Sequence, residues 1–85
     1  MSRKLKLLEK AWNNSKGLTF DELCRLAEYA GFVLKKQKGS HKTFKHPDIR
    51  NRLDSIITIQ KGKNGEAKAY QVTRLLELID KYTLM

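Results

Sequence analysis

The hydrophobic residues change their period at Gly31, and this change limits what the chain can fold into. Before Gly31, apolar residues recur at the i, i+3, i+4 and i+7 spacing of an amphipathic helix: Leu23, Leu26, Ala27 and Ala30. Gly31 itself is a natural residue to end that helix, because glycine readily takes the left-handed conformation. Directly after it, Phe32-Val33-Leu34 is rich in strand-forming residues. A helix followed at once by strands predicts an α+β fold.

The beginning of this helix is also visible in the sequence. Thr19 and Glu22 have the spacing of a capping box, in which each side chain binds the backbone N–H of the other residue. A shorter helix is predicted before it, over about Lys4 to Asn13. Its apolar residues follow roughly helical spacing: Leu5, Leu8 and Trp12, with Leu7 and Ala11 beside them. Residues 13–17 form the loop between the two helices.

Three strands and a last helix are predicted after Gly31. The first strand begins at 32–34 and can extend through 35–38. Gly39-Ser40 forms a turn, and the second strand then covers 41–46 until Pro47 ends it. A third strand covers 55–60, a polar loop covers 61–66, and a helix covers about Ala69 to Tyr82. Short connections between strands favour an antiparallel sheet with the helices on one face. The order is α-α-β-β-β-α in one domain of 85 residues.

The register of the first two strands decides which way their lysines point. A strict two-residue hairpin pairs Lys38 with His41 and mixes apolar with charged residues on both faces. One extra residue, in the connection or as a bulge, pairs Leu34 with Phe44 instead. We prefer this second register because it separates apolar from polar side chains. The apolar set faces the helices: Phe32, Leu34 and Phe44. The polar set faces outward: Lys35, Gln37, His41, Thr43 and Lys45.

Charge indicates the class of partner. Eighteen Lys and Arg against nine Asp and Glu give a net charge of +9, which favours a nucleic-acid or other polyanionic partner. No acid stands between Glu28 and Asp48, whereas both histidines and several lysines do: Lys35, Lys36, Lys38, Lys42 and Lys45. A charge run is more often only a solvated surface, but the absence of interspersed acids favours a phosphate-binding strip here.

The segment from Lys38 to Phe44 contains the residues best suited to chemistry. Histidine exchanges a proton near neutral pH, so His41 could take the proton of a ribose 2′-OH and let the alkoxide attack the adjacent phosphorus. Lysines or backbone N–H groups would stabilise the developing charge. Gly39 permits close approach of a phosphate, and Ser40 supplies a donor. The competing interpretation is a histidine that is structural or merely exposed. The predicted RNA-binding residues are Lys35, Lys36, Lys38, Gly39, Ser40, Lys42 and Lys45.

Other kinds of site find little support. Cys24 is the only cysteine, and its place in a helical apolar pattern predicts a buried, inert thiol. No Cys/His spacing suits zinc, so we expect no metal and no cofactor. No apolar run approaches the ~18 residues of a membrane span. Residues 1–6 look like the charged start of a signal peptide, but no cleavage site follows. A soluble cytoplasmic protein is expected.

The chain resembles the HicA family of toxins. The resemblance is carried by Gly39-Ser40-His41 followed by Phe44. This motif stands after a helix ending in Gly31-Phe32 and before an Ile-rich strand and a last helix. The resemblance covers roughly Thr19 to Tyr82, which leaves residues 1–18 as an N-terminal extension. It implies a double-stranded-RNA-binding-domain-like α-β-β-β-α fold. It also implies the toxin of a type II toxin–antitoxin system, a metal-independent endoribonuclease that cuts mRNA and is neutralised by a HicB antitoxin. The family's catalytic histidine falls on His41.

The sequence departs from the family at one place and leaves alternatives open. Many members have Ile-Pro and a further histidine where Ile59-Gln60-Lys61-Gly62 stands. His46, beside Pro47 at a strand end, is expected to be structural. The acid that protonates the leaving oxygen is therefore unassigned, with water, Lys38 and Lys42 as candidates. A non-catalytic RNA-binding module of the same fold is the alternative function. Direct DNA binding is not expected, because strands rather than a recognition helix follow Gly31.

Overall fold

The computed structural model describes residues 2–85, so Met1 of the predicted charged start lies outside the described residues. The elements in chain order are α1 (Arg3–Asn13), α2 (Phe20–Tyr29), β1 (Val33–Lys38), β2 (His41–Lys45), α3 (Arg52–Ser55), β3 (Ile56–Gln60) and α4 (Ala69–Lys81), with a 3₁₀ turn at Lys63–Gly65. The predicted α+β class and order are confirmed. The short α3 is an addition, because four residues carry too little periodicity to be recognised.

Both ends of α2 form as predicted. The Thr19 hydroxyl accepts from the backbone N–H of Glu22 at 3.1 Å, and the Glu22 carboxylate accepts from the N–H of Thr19 at 2.9 Å. Gly31 follows the helix with a φ of +98°. A Cβ at this position would lie 2.6 Å from Nε2 of His46, so both the backbone conformation and the space require glycine. The helix therefore stops where the first strand has to begin.

The sheet is antiparallel in the order β1-β2-β3. Leu34 pairs with Phe44, as preferred from the sequence, and yet Lys38 pairs with His41, as in the two-residue hairpin. Both pairs occur because the register shifts between Leu34 and Lys36, which leaves Lys35 as an inserted bulge residue. The bulge, rather than a longer connection, supplies the extra residue.

This bulge overturns one expectation about the faces. Gln37 pairs with Lys42, and cross-strand partners share a face, so Gln37 lies with Lys42 on the helix side and not beside His41. Lys36, paired with Thr43, takes the outward position instead. The physical reason is that one inserted residue shifts the alternation of every residue between the bulge and the turn.

The core lies between the helices and one face of the sheet, as predicted. Phe44, Ile57 and Ile59 supply the sheet side, and each is at most 8% exposed. The helices supply most of the rest, including Leu23, Leu26 and Ala27 from α2 and Val72, Leu75, Leu76 and Ile79 from α4. The last helix is thus amphipathic and turns its apolar side to the core. Leu34 shares the helix-side face with its partner Phe44, as predicted, but it lies on an edge strand and remains 42% exposed.

Helix α1 forms as predicted and buries part of its apolar surface. Its buried residues are Leu7 and Ala11, whereas Leu5 is 52% and Trp12 55% exposed. The spacing of the apolar residues indicated the helix correctly, and Leu8 is partly buried against the core. An ion pair joins α1 to α2, with Lys10 Nζ 2.8 Å from Glu22 Oε2, and this contact lowers the pKa of Glu22. Residues 3–13 are thus part of the packed structure.

A buried carboxylate ties α3 to α4. Asp54 is 7% exposed and accepts hydrogen bonds from the Tyr82 hydroxyl, from Arg74 at 2.8 Å and from Lys81 at 2.9 Å. These donors, Tyr82 first, hold the pKa of Asp54 well below its usual range. The Asn51 side chain in turn accepts from the Asp54 N–H at 3.1 Å and caps α3. No helix within residues 2–85 is long and apolar enough to cross a membrane.

Candidate functional site

The outer face of the sheet, opposite the helices, carries the predicted site. Cross-strand pairing arranges its side chains in rows that run across the strands: Lys38, His41 and Gln60 in one row, Lys36, Thr43 and Thr58 in the next, and Val33, Lys45 and Ile56 in the last. Each row combines residues from all three strands. His41 therefore lies at one end of the face and Lys45 near the other.

His41 is positioned by the turn before it. Gly39 has a φ of +58°, a conformation that favours glycine, and nothing lies within 4 Å of a Cβ placed there. The Ser40 carbonyl accepts from the N–H of Lys61 at 3.1 Å, which fastens the turn to the residue after β3. His41 begins β2 with an exposed side chain. The imidazole is thus presented to solvent from a turn that is held in place.

An open concavity of about 560 Å³ lies beside the imidazole, and we call it the lysine groove. It is lined by Lys36, Lys38, Gly39, Ser40, His41 and Thr43. None of these residues carries a carboxylate. The ammonium groups and the turn suit a phosphate group, and the imidazole beside them can exchange a proton with a hydroxyl next to that phosphate. The structure thus brings five of the predicted site residues together here.

The other three predicted residues lie elsewhere. Lys35 and Lys45 line a separate concavity with Val33 and Pro47 and extend the cationic surface along β1. Lys42 lies on the helix side of the sheet, with its Nζ 5.5 Å from the centroid of the Phe20 ring, and the Nζ of Lys61 lies at the same distance from that ring. The structure therefore does not bring Lys42 together with the lysine groove.

His46 has a different environment from His41. It is 5% exposed, its Nδ1 accepts from the N–H of Asp48 at 3.1 Å, and its Nε2 donates to the carbonyl of Ala30 at 3.0 Å. Its ring also meets Phe32 edge to face, with the centroids 5.0 Å apart. Both ring nitrogens are used by the backbone, so His46 fixes the end of α2 against the end of β2. That is the structural role expected from its position.

Cys24 also matches its expectation. The thiol is buried in α2, and this burial raises its pKa, which disfavours the nucleophilic thiolate. It offers no reactive group to the outer face.

A second groove adjoins His41 on the side away from the lysines, and sequence reasoning missed it. It lies along the free edge of β3 beside α4, encloses about 330 Å³, and its lining includes His41, Ile56, Thr58, Gln60, Tyr70 and Arg74. We call it the edge groove. The one available signal was the third strand itself, because alternate residues of this strand, Ile56, Thr58 and Gln60, face the same side as His41. Tyr70 and Arg74 could not be placed without the angle between α4 and the sheet.

The chain matches a known protein family over most of its length. A family model described as the HicA toxin of bacterial toxin–antitoxin matches residues 20–80. This span begins at the first residue of α2 and ends one residue before the end of α4, so it includes the whole sheet and both grooves. No curated protein and no solved structure matches the chain.

Proposed function

The chain belongs to the HicA family of toxins from bacterial toxin–antitoxin systems, and from this premise we propose that it is a metal-independent endoribonuclease that cleaves mRNA through His41. The observation that carries the proposal is the exposed imidazole of His41 at the end of the lysine groove. A phosphodiester bound by those lysines would place its adjoining ribose next to the imidazole. Cleavage of mRNA in the cytoplasm would stop translation, which accounts for a toxic effect.

The reaction that fits this arrangement is an internal transesterification. His41 takes the proton from the ribose 2′-OH, and the 2′-oxygen attacks the adjacent phosphorus. The bond from phosphorus to the 5′-oxygen of the next nucleotide then breaks, which leaves a 2′,3′-cyclic phosphate and a 5′-hydroxyl. The ammonium of Lys38, in the same row as His41, stabilises the charge that develops on the phosphoryl oxygens.

A proton must also reach the leaving 5′-oxygen. Lys38 shares the outer face with His41, whereas Lys42 lies on the opposite side of the sheet beside Phe20. This difference favours Lys38 over Lys42 as the proposed acid, with water as the alternative source of the proton. Lys36 and the Gly39-Ser40 turn hold phosphates in the lysine groove, and Lys35 and Lys45 extend the contact along the strand.

The proposed protein partner is an antitoxin of the HicB type. The outer face is cationic and uncovered by the chain's own helices, so an antitoxin with acidic groups would neutralise it by covering His41 and the lysine groove. This partner and the RNA would compete for the same surface.

The test is cleavage of a defined mRNA in EDTA by the wild type, His41→Ala, Lys38→Ala and Lys42→Ala. We expect wild-type cleavage with 2′,3′-cyclic phosphate and 5′-hydroxyl ends, and a loss of about 10²–10⁴-fold in His41→Ala, the usual contribution of a general base. Lys38→Ala should slow cleavage, while Lys42→Ala is the matched control that removes a lysine from the other face. No cleavage by the wild type, with RNA still bound, would instead support the non-catalytic RNA-binding module.

A further inference from the structure

His41 is the residue shared by the lysine groove and the edge groove. The two grooves differ in chemistry. The lysine groove offers ammonium groups. The lining of the edge groove is mainly apolar and aromatic, with Ile56 and Tyr70, and it also includes amide groups and the guanidinium of Arg74, which is paired with Asp54. A substrate that spans His41 therefore meets a cationic surface on one side and an apolar, aromatic one on the other.

The polar parts of the edge groove are already fixed by the protein itself. Oε1 of Gln71 accepts from the backbone N–H of Gln60 at 3.1 Å, and Oε1 of Gln60 accepts from Lys68 Nζ at 3.1 Å. Arg74 is held by Asp54 at 2.8 Å. These contacts order the floor and the far wall before any ligand arrives, which lowers the entropy lost on binding.

The aromatic ring of Tyr70, in contrast, is exposed to solvent. It lies in the first turn of α4 and is 67% exposed, and Ile56 across the groove is 41% exposed. An aromatic ring of this kind beside a cationic groove is the arrangement by which proteins bind single-stranded nucleic acid, with bases stacked on the ring and phosphates on the cations.

We propose that the edge groove binds the unpaired base of the nucleotide whose 2′-OH is deprotonated by His41, with the base stacked on Tyr70. This inference rests on the proposed ribonuclease function. Only one nucleotide can present both its 2′-OH to His41 and its base to a groove that adjoins His41. Its 3′-phosphate, the scissile one, then lies on the lysine side, and the RNA runs from α4 towards β1 in the 5′ to 3′ direction.

This arrangement selects single-stranded RNA. A base paired within an A-form duplex is stacked on its neighbours and cannot enter a groove beside the ribose. The cationic side chain in the lining of the edge groove, Arg74, is paired with Asp54 at 2.8 Å, whereas neither Lys36 nor Lys38 of the lysine groove has an ion-pair partner among residues 2–85. The specificity would therefore come from stacking, which tolerates every base, rather than from a fixed sequence.

The experiment compares wild type, Tyr70→Ala, Tyr70→Phe and Trp12→Ala on one short RNA, single-stranded or annealed to its complement. Trp12→Ala is the matched control, because it removes an aromatic side chain that is 55% exposed on α1, outside both grooves. We expect cleavage of the single strand only. Tyr70→Ala should raise KM about tenfold with kcat nearly unchanged, which is within the effect of losing one base–aromatic stack. Tyr70→Phe and Trp12→Ala should behave as wild type.

A second substrate tests the base directly. An abasic ribonucleotide that keeps its 2′-OH, placed 5′ to the scissile phosphate, should raise KM of the wild type as much as Tyr70→Ala does. The two changes together should then give no further loss, because they remove the same contact. An unchanged KM in Tyr70→Ala, or fully additive losses, would overturn the edge-groove proposal while wild-type cleavage still upheld the ribonuclease. Absence of wild-type cleavage would overturn both.

Discussion

The two histidines of the chain, five residues apart, have opposite environments. His41 is exposed at the start of β2, whereas His46 is buried with both ring nitrogens bound to backbone groups. Odd spacing along an extended segment turns them to opposite faces, and the sequence alone therefore predicted which of them is free. The distinction matters for the proposed chemistry, since only a histidine with an available nitrogen can take up a proton.

The buried histidine also explains why Gly31 tolerates no side chain. Gly31→Ala should lower the free energy of unfolding by about 3–4 kcal/mol, since the left-handed backbone and the overpacking against the hydrogen-bonded His46 ring both contribute. Gly39→Ala is the control, because Gly39 has a positive φ but open space around its Cβ position. Its cost should be about 1–2 kcal/mol. Urea unfolding measures both, and equal costs would contradict the role of the His46 contact.

At the scale of elements, the sequence was sufficient where local rules decide. The capping box of Thr19 and Glu22, the glycine after α2 and the apolar face of α4 all follow from neighbours within a few residues. The bulge at Lys35 does not, because its place depends on how two strands pair rather than on either strand alone. This explains why the outward face was predicted in outline while Gln37 was assigned to the wrong face.

The hydrogen-bonded cluster around Asp54, which joins α3 to α4, makes the stability of the protein depend on pH. The pKa of Asp54 is lowered in the folded protein, so its contribution is present above the ordinary aspartate pKa of about 3.9 and is lost as the pH falls below it. Asp54→Asn should be less stable than wild type at pH 7 and at pH 5. The difference between the two proteins should shrink by pH 3.

Urea unfolding at these three pH values provides the measurement. Asp80→Asn is the control for the loss of one carboxyl from α4, because Asp80 is exposed. Tyr82 affects stability at alkaline pH instead. Its hydrogen bond to Asp54 raises the pKa of Tyr82 in the folded protein, so the stabilisation that it contributes is lost only as the pH rises past the ordinary tyrosine pKa of about 10. A wild-type-to-variant difference that stayed constant down to pH 3 would mean that Asp54 does not act through its charge.

At the scale of the whole molecule, the helices cover one face of the sheet, and the described helices leave the other face uncovered. The net charge of +9 and the predicted strip of lysines indicated this division from the sequence, and the family match agrees with a toxin that has an antitoxin partner. The edge groove was beyond sequence reasoning, because it depends on where α4 lies relative to the last strand.

The open cationic face predicts how an antitoxin associates. If acidic groups of the antitoxin meet the lysine groove, the association rate constant should fall steeply as salt rises from 50 to 200 mM, while dissociation changes less. Stopped-flow mixing of the purified pair measures both rates. Lys36→Ala with Lys38→Ala should flatten the salt dependence and Lys42→Ala should not. A rate independent of salt would mean that the antitoxin binds elsewhere.

The bulged strand has one more consequence, for the behaviour of the protein in the absence of any partner. β1 is an edge strand with all six residues exposed, and an edge of this kind invites pairing with a second copy of the chain. Closely spaced lysines and a bulge are two of the features by which natural sheets discourage such pairing. The same lysines that are proposed to attract RNA would thus keep free toxin molecules from aggregating. A variant in which these lysines are replaced by neutral residues would lose solubility as well as affinity for RNA.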